Sequence, residues 1–520
     1  MAIIDFFDRG WLVNPHGVAY RHGNASWTFD EAGALSCRIA NALIADCVGT
    51  ESKAAVLSPN DPLAWICVLG IWRAGGAWVP MNPKQPLEDN TVLLDRFDVE
   101  VVFYAPSVAD QVARMRELLP RVRSWIAITG GADHGDAVLA DWVGRHPATR
   151  PDVAHHMDDV VAVAPTGGTT GLPKGVMNTH RSFSTMVVHQ MLALTYPAGA
   201  PVVNLAAAPM THTAGLFSLQ ATARGGTTVV LSDARPDSIL DAIEQHQVTE
   251  LFLPPTVVYR VLERLEQRPV DTSSLRYVMY AAAPMSVEKL RQGIERLGPV
   301  FMECYGQMEA PAAISFLRPD EHLLDGAIAP DDRLSSCGRP YPLVTVAILD
   351  PETGAELPAG ETGEISVRGD LVMKGYYKDP ERTAETVVDG WLRTGDLGHL
   401  DEGGYLHLTD RKKDMIISGG FNVYPGEVEQ VLWSHPAVQD CAVVGAPHPD
   451  WGEAVTAVVE LNEGAFVEEA ELIALCRDRL GPIRTPKQIV VVDQLPRSAN
   501  GKVLKRDVRD AFWAGRATSI

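Results

Sequence analysis

The sequence predicts an α/β protein. A large N-terminal domain of layered, mainly parallel sheets with a small β region is followed by a small α+β C-terminal domain on a hinge. Three observations lead there. Short apolar runs alternate with stretches of helical period over most of the chain. From Leu343 to Leu408 the pattern changes to strands and Gly-rich turns such as Glu402-Gly403-Gly404. A charged run, Asp410-Arg411-Lys412-Lys413-Asp414, then separates this region from a last unit with its own strands and helices. The expected division is 1–409, a hinge at 410–414, and 415–520.

The elements follow in order. Thr28 and Glu31 have the spacing of a capping box, and Leu35, Ile39 and Leu43 repeat at helical spacing behind them. Ala54 to Ser58 reads as a strand, and Asp61-Pro62 as an N-cap with proline at the first helical position. Strand and helix alternate again: Val160–Ala164 before a Gly-rich loop, Thr227–Leu231 before Ser238–Gln245, Arg276–Tyr280 before Ser286–Leu297. In the last unit, Glu427–Leu432, Val467–Arg479 and Lys502–Phe512 are expected helices. Gln439–Val444, Val455–Glu460 and Gln488–Asp493 are expected strands.

Composition narrows the function. The 520 residues suit roughly three packing units, and a net charge of −21 excludes a broad basic face for nucleic acid or anionic membrane. An anionic substrate must therefore meet a local cluster of Lys and Arg. The 7 cysteines are scattered, without a C-x-x-C pair, which fits free thiols in a reducing compartment. Met1 to Arg9 carries Asp5 and Asp8 and does not read as a signal peptide. No apolar stretch is long enough to span a bilayer, so a cytoplasmic protein without stable membrane insertion is expected. The oligomeric state is left open, a homodimer among the options.

The chemistry is carried first by Thr166-Gly167-Gly168-Thr169-Thr170-Gly171-Leu172-Pro173-Lys174-Gly175, directly after an apolar strand. Glycines let the backbone approach a phosphate, hydroxyls donate to its oxygens, and Lys174 adds charge. No G-K-[ST] opens a helix here, so it is not the loop of P-loop nucleoside triphosphatases. The segment resembles the phosphate-binding signature of the adenylate-forming (AMP-binding) superfamily, and the chain looks most like an acyl-CoA synthetase or fatty-acid–CoA ligase. Further matching segments run from Trp27-Thr28-Phe29 to Lys502. The resemblance implies an active site between the large and the small domain, with ATP, Mg²⁺ and coenzyme A as cofactor and co-substrates.

What it implies for single residues follows motif by motif. Thr166, Gly167, Gly168, Thr169, Thr170, Gly171 and Lys174 would hold the phosphates. Tyr305-Gly306-Gln307-Met308-Glu309 resembles Y-G-x-T-E, with Tyr305 and Gly306 on the adenine and Glu309 holding the metal. Ala282, Ala283 and Pro284 match the small-residue strand end beside the adenine. Asp396, in Trp391-Leu392-Arg393-Thr394-Gly395-Asp396, matches the aspartate that receives the ribose hydroxyls, and Arg411 a nucleotide-reaching arginine. Lys502, in Pro496-Arg497-Ser498-Ala499-Asn500-Gly501-Lys502, matches the catalytic lysine. Lys502, Glu309, Thr169 and Lys174 are thus the expected catalytic set. His212, Thr213, Ala281, Gly306 and Ala310 are expected in the acid pocket, Lys413 at the hinge, and Gly419, Gly420, Phe421, Trp451 and Lys487 on coenzyme A.

Two residues depart from the pattern: Gly167 stands where serine is usual and Met308 where threonine is usual, and each removes a hydroxyl near the phosphates. One preorganised donor lost from such a site costs about 3 kcal/mol. No aspartate in the His212 segment stands ready for an α-amine, and neighbours such as Leu216, Phe217 and Ala310 to Ala313 are apolar. The expected substrate is therefore a small-molecule hydrophobic acid: fatty, aryl or alicyclic. The expected function is an ATP-dependent, AMP-forming acid–CoA ligase. The alternatives are an acyl-AMP ligase serving a carrier protein and, in another class, a non-catalytic nucleotide-binding regulator.

Overall fold

The computed structural model describes residues 1–130, 136–166, 173–211, 213–411, 413–449, 451–497 and 503–514. Over these residues the large N-terminal domain is built on two sheets. One has eight strands in the order Gly375–Tyr376, Lys174–Thr179, Val160–Thr166, Ala77–Pro80, Lys53–Leu57, Val99–Tyr104, Ser124–Ala127, Ala137–Val138. All its pairings from Val160–Thr166 outward to Ala137–Val138 are parallel. The other has nine strands, and its parallel core runs Phe301–Gln307, Tyr277–Tyr280, Glu250–Leu253, Val203–Ala206, Thr227–Val230, Val18–His22. Strands such as Val203–Ala206, Glu250–Leu253 and Tyr277–Tyr280 are buried along nearly their whole length, and Tyr277–Tyr280 reads as a continuous apolar run rather than as alternation.

One helix ties the two sheets together. Pro62–Arg73 is buried at every position but Leu63 and touches strands of both. Its start is fixed as the sequence predicts: the Asp61 carboxylate receives the Leu63 N–H at 2.7 Å, with Pro62 behind it. Trp65 and Trp72 on this helix and Trp78 on the adjacent strand meet edge to face, with centroids 5.5–6.0 Å apart. The Thr28–Glu31 capping box also forms.

Beyond these sheets the Val344–Leu349, Gly363–Gly369, Trp391–Leu400, Val387–Val388 and Leu406–Arg411 strands make an antiparallel sheet, the expected small β region. The smaller C-terminal domain has its own sheet, with Val438–His448 and Gly452–Leu461 as its long central pair. Three sequence expectations need correction. The Gly-rich loop after Val160–Thr166 leads into a strand, not a helix: Lys174–Thr179 returns antiparallel, with Thr166 opposite Lys174. The helix expected at Val467–Arg479 runs over Glu469–Arg484 and is broken at Gly481, where φ is +76°. The last helix is Lys505–Trp513 rather than Lys502–Phe512. Among the described residues no helix is long and apolar enough to cross a membrane, and all seven cysteines are free thiols.

The first helix, Ile4–Val13, is held to this frame by charge. Arg73, 4 % exposed, pairs with Asp8 at 2.6 Å, and Ser36 Oγ takes its Nε–H at 3.2 Å. Removing one partner of a buried pair strands the other. Asp8→Ala should therefore cost about 3 kcal/mol of unfolding free energy by denaturant titration; a loss within error of zero would show that Arg73 is satisfied without it.

Candidate active site

The hairpin of Phe301–Gln307 and Ala310–Leu317 carries two polar clusters at one end. In the first, the buried Tyr305 hydroxyl donates to Asp396 Oδ2 at 2.8 Å, and Arg411 Nε lies 3.2 Å from Oδ1. Asp396 and Arg411 face each other across Trp391–Leu400 and Leu406–Arg411, so the register fixes the pair. Thr394 steadies the turn: its Oγ1 donates to the Ile365 carbonyl at 2.6 Å and receives the Asp396 N–H at 3.1 Å. Burial, followed by the charge of Asp396, pushes the Tyr305 phenol far above its ordinary range, so it stays a donor. The carboxylate is 6 % exposed and so held as a preset acceptor.

In the second cluster Glu309 is 8 % exposed and receives the Tyr376 hydroxyl at 2.8 Å. Lys174 Nζ sits 4.8 Å over the Tyr376 ring. Tyr376 pairs with Val176 across the strand that Lys174 opens, so Tyr376 sits between the lysine and the carboxylate. Burial pushes the Lys174 ammonium down, with Arg382 and Lys413 adding to it and Glu309 opposing. A half-buried ammonium without a direct carboxylate contact among the described residues keeps its charge available for an anion. The turn itself is held by Asn178, whose Nδ2 donates to the Met308 carbonyl at 3.2 Å.

Ala281, Ala282, Ala283 and Pro284 follow the Tyr277–Tyr280 strand directly, next to Phe301–Gln307. Ala282 adopts φ +73°, a conformation that ordinarily favours glycine. Gly306 is required by contact: a Cβ there would lie 2.5 Å from the Ala312 nitrogen and 2.8 Å from the Ala310 oxygen. Thr213 opens the Thr213–Ala223 helix, and Ala310 is buried at the start of its strand. Asn60 organises the approach to Thr213: its Nδ2 lies 2.8–3.1 Å from the Ala206, Ala208 and Leu231 carbonyls, and its Oδ1 receives the Met210 N–H at 2.8 Å.

In the C-terminal domain, Gly419 donates to the Trp451 carbonyl at 2.9 Å, and Ser418 pairs with both Phe421 and Gly452. Gly419 and Gly420 have φ +59° and +84°. Phe421 and Trp451 are exposed, Lys487 Nζ lies 5.2 Å over the Trp451 ring, and the His448 ring stacks on it at 4.2 Å. These five candidates thus form one surface, with His448 as an unforeseen member. Lys413 is exposed, just past Arg411. Gly167, Gly168, Thr169, Thr170, Gly171, His212 and Lys502 lie outside the described residues. Sequence reasoning missed Asn60, Asn178, Tyr376 and His448. Each supports another residue rather than matching a motif, and only Tyr376, in an aromatic pair after Gly375, offered a local signal.

Residues 7–377 match the profile of the AMP-binding enzymes, and residues 427–502 that of the AMP-binding enzyme C-terminal domain. Among curated proteins, the chain is 36 % identical to the medium/long-chain-fatty-acid–CoA ligase FadD8 of Mycobacterium tuberculosis, over 91 % of this chain and 83 % of that one. It is 35 % identical to a feruloyl-CoA synthase of an Amycolatopsis species, over 96 % and 97 %. Among solved structures, it resembles the amide bond synthetase McbA from Marinactinospora thermotolerans, with a TM-score of 0.87, 34 % identity and coverage of 98 % and 100 %. ATP-bound MatB from Rhodopseudomonas palustris matches with a TM-score of 0.87, and the apo form of that protein with 0.78, both at 30 % identity and 99 % coverage of each chain.

Glu303 lies two residues before Tyr305 and is partly buried; the Cys337 thiol donates to its Oε1 at 3.5 Å. Burial pushes its carboxyl up to about 8 from an ordinary 4.5. Between those values the folded chain keeps a proton that the unfolded chain has lost, so this contribution to stability is present in full at low pH and falls as pH rises towards 8. Glu303→Gln, which mimics the neutral acid, should gain stability over the parent from pH 5 to pH 8. Parallel denaturation midpoints across that window would contradict a protonated Glu303.

Proposed function

The chain belongs to the AMP-binding enzyme family, and we propose that it is an AMP-forming acid–CoA ligase that joins a hydrophobic carboxylic acid to coenzyme A through an acyl-AMP. The observation that carries this reading is the placing of both polar clusters on one hairpin. Asp396, held by Tyr305 and Arg411, is preset for a ribose, and Glu309 with Lys174 is preset for phosphate and its counter-ion.

In the first half-reaction the acid's carboxylate attacks the α-phosphorus of ATP and pyrophosphate leaves. No general base is needed, because the carboxylate is already ionised near neutral pH. The barrier lies in bringing an anion to a polyanion: like charges 4 Å apart repel by about 4 kcal/mol at a surface dielectric. Lys174 and Lys502 supply the opposing charge. Glu309 fits a magnesium site, since a single carboxylate plus substrate phosphates is how this hard cation is usually held. The bound ion would neutralise phosphate charge. In the second half-reaction the thiol of coenzyme A attacks the acyl carbonyl and AMP leaves.

The acid pocket is assigned to His212, Thr213, Ala281, Gly306 and Ala310, whose small and apolar character favours a fatty, aryl or alicyclic acid. The Gly419–Phe421 segment with Trp451, Lys487 and His448 is assigned to coenzyme A. We place the domain boundary at 410–414, with Lys413 as the residue that absorbs the turn between the two half-reactions. The free thiols support a cytoplasmic setting.

Pyrophosphate release with Mg²⁺, ATP and a panel of fatty, aryl and alicyclic acids tests the reading. The expected result is acid-dependent AMP formation, with thioester appearing only when coenzyme A is added; ADP and orthophosphate as products would overturn it. Amide in preference to thioester, when an amine competes with coenzyme A, would reassign the acceptor.

Two variants probe the residues. Lys502→Ala should lose acyl-AMP formation by roughly two orders of magnitude, as for a preorganised charge in such a site, yet still convert supplied acyl-AMP and coenzyme A. Met308→Thr should match or exceed the parent in adenylation; a large loss with folding intact would give the methionine a role of its own.

A further inference from the structure

The two domains meet at contacts that no site motif requires. Thr409 and Asp410 lie just before the end of the Leu406–Arg411 strand, on the large-domain side of Lys413, and the Pro425–Trp433 helix begins on the other side. The Gly426 N–H donates to Asp410 Oδ2 at 2.7 Å. The helix start can come this close only because residue 426 is glycine: a Cβ would lie 2.8 Å from the Thr409 carbonyl oxygen. An acidic side chain over the first turn of a helix is also favoured by the helix dipole.

Behind this contact lies Lys505, the first residue of the Lys505–Trp513 helix. Its ammonium pairs at 2.9 Å with Glu429, whose side chain is 3 % exposed and whose Oε1 also receives the Val443 N–H at 2.8 Å. Burial opposes the charge on Lys505, but Glu429, then Asp410, outweigh it and hold the ammonium above its ordinary range. A further tie joins Gln430 Nε2 to the Met285 carbonyl at 3.2 Å, one residue past the small-residue strand end. The strand end belongs to the large domain, where Arg411 pairs in register with Asp396 and lies 3.2 Å from its Oδ1.

We infer that Asp410 is a positioning residue for adenylation: its contact with Gly426 and its charge facing Lys505 hold the small domain in the adenylating orientation and separate for the thioester step. This rests on the ligase reading and on a turn about Lys413. Asp410 and Gly426 stand on opposite sides of that pivot, so the turn breaks their contact. The overall arrangement, closer to the ATP-bound than to the apo form of the same relative, supports assigning the contact to the first half-reaction. Lys505 lies three residues after Lys502 in sequence, so the latch also anchors the helix next to the catalytic lysine.

The test uses the full chain with Asp410→Ala, the isosteric Asp410→Asn, and Gly426→Ala. Single-turnover acyl-AMP formation should slow by about ten-fold in Asp410→Ala and Gly426→Ala, as for a lost hydrogen bond to a charged group, and by less in Asp410→Asn. Conversion of supplied acyl-AMP and coenzyme A should be unchanged or faster. Trypsin cleavage after Arg411, Lys412 or Lys413, a readout without activity, should quicken in the same order. Equal loss of both half-reactions, or parent-like rates and cleavage in all three variants, would overturn the inference. A parent chain that makes no acyl-AMP with any acid would instead refute the ligase reading, before any variant is compared.

Discussion

A single carboxylate organises this molecule. Asp396 is 6 % exposed, a position that costs an isolated anion several kcal/mol, and the chain offsets that cost with the Tyr305 hydroxyl and the Arg411 guanidinium. Those partners come from different layers. Tyr305 belongs to the parallel sheet, Asp396 to the antiparallel region, and Arg411 to the strand that leads out to the small domain. The interaction at the centre of the proposed nucleotide site thus also docks the β region on the parallel sheet and holds the end of the Leu406–Arg411 strand.

The site's second cluster depends on the same hairpin. Glu309 lies four residues beyond Tyr305, and the turn between them is set by Gly306, which no larger residue can replace, and by Asn178 beneath Met308. Lys174 reaches this cluster because the Gly-rich segment returns as a strand opposite Val160–Thr166, which places the lysine beside Tyr376. Backbone register brings Lys174 and Glu309 to the two sides of Tyr376, so the proposed phosphate recognition needs no broad basic surface. That reconciles a net charge of −21 with a polyanionic substrate.

Much of this was legible in the sequence, and the reasons are physical. Capping at Thr28 and Asp61 uses contacts within three residues, so it reads directly from spacing. Buried parallel strands such as Tyr277–Tyr280 show as apolar runs. Tyr305, Asp396, Arg411, Glu309 and Lys174 were singled out by motif, and the structure gathers them at one end of a hairpin through contacts that span up to 91 positions and are invisible to local pattern. The strand at Lys174–Thr179 was missed because glycine and proline before it look the same ahead of a helix or a strand. Asn60, Asn178 and Tyr376 were missed because each acts on backbone or on another side chain far away in sequence. The contact of Asp410 with Gly426 was hidden for a related reason: a charged run reads as a solvated linker until the helix facing it is in place.

The central claim is that the acid's own carboxylate attacks the α-phosphorus of ATP, and isotope transfer tests it most directly. With a substrate acid carrying ¹⁸O in both carboxylate oxygens, and with coenzyme A present, mass spectrometry of the products follows the label. Attack at the α-phosphorus leaves one ¹⁸O in AMP once the thiol has displaced the acyl group, and this is the result the account predicts. Unlabelled AMP, or label in orthophosphate, would contradict it.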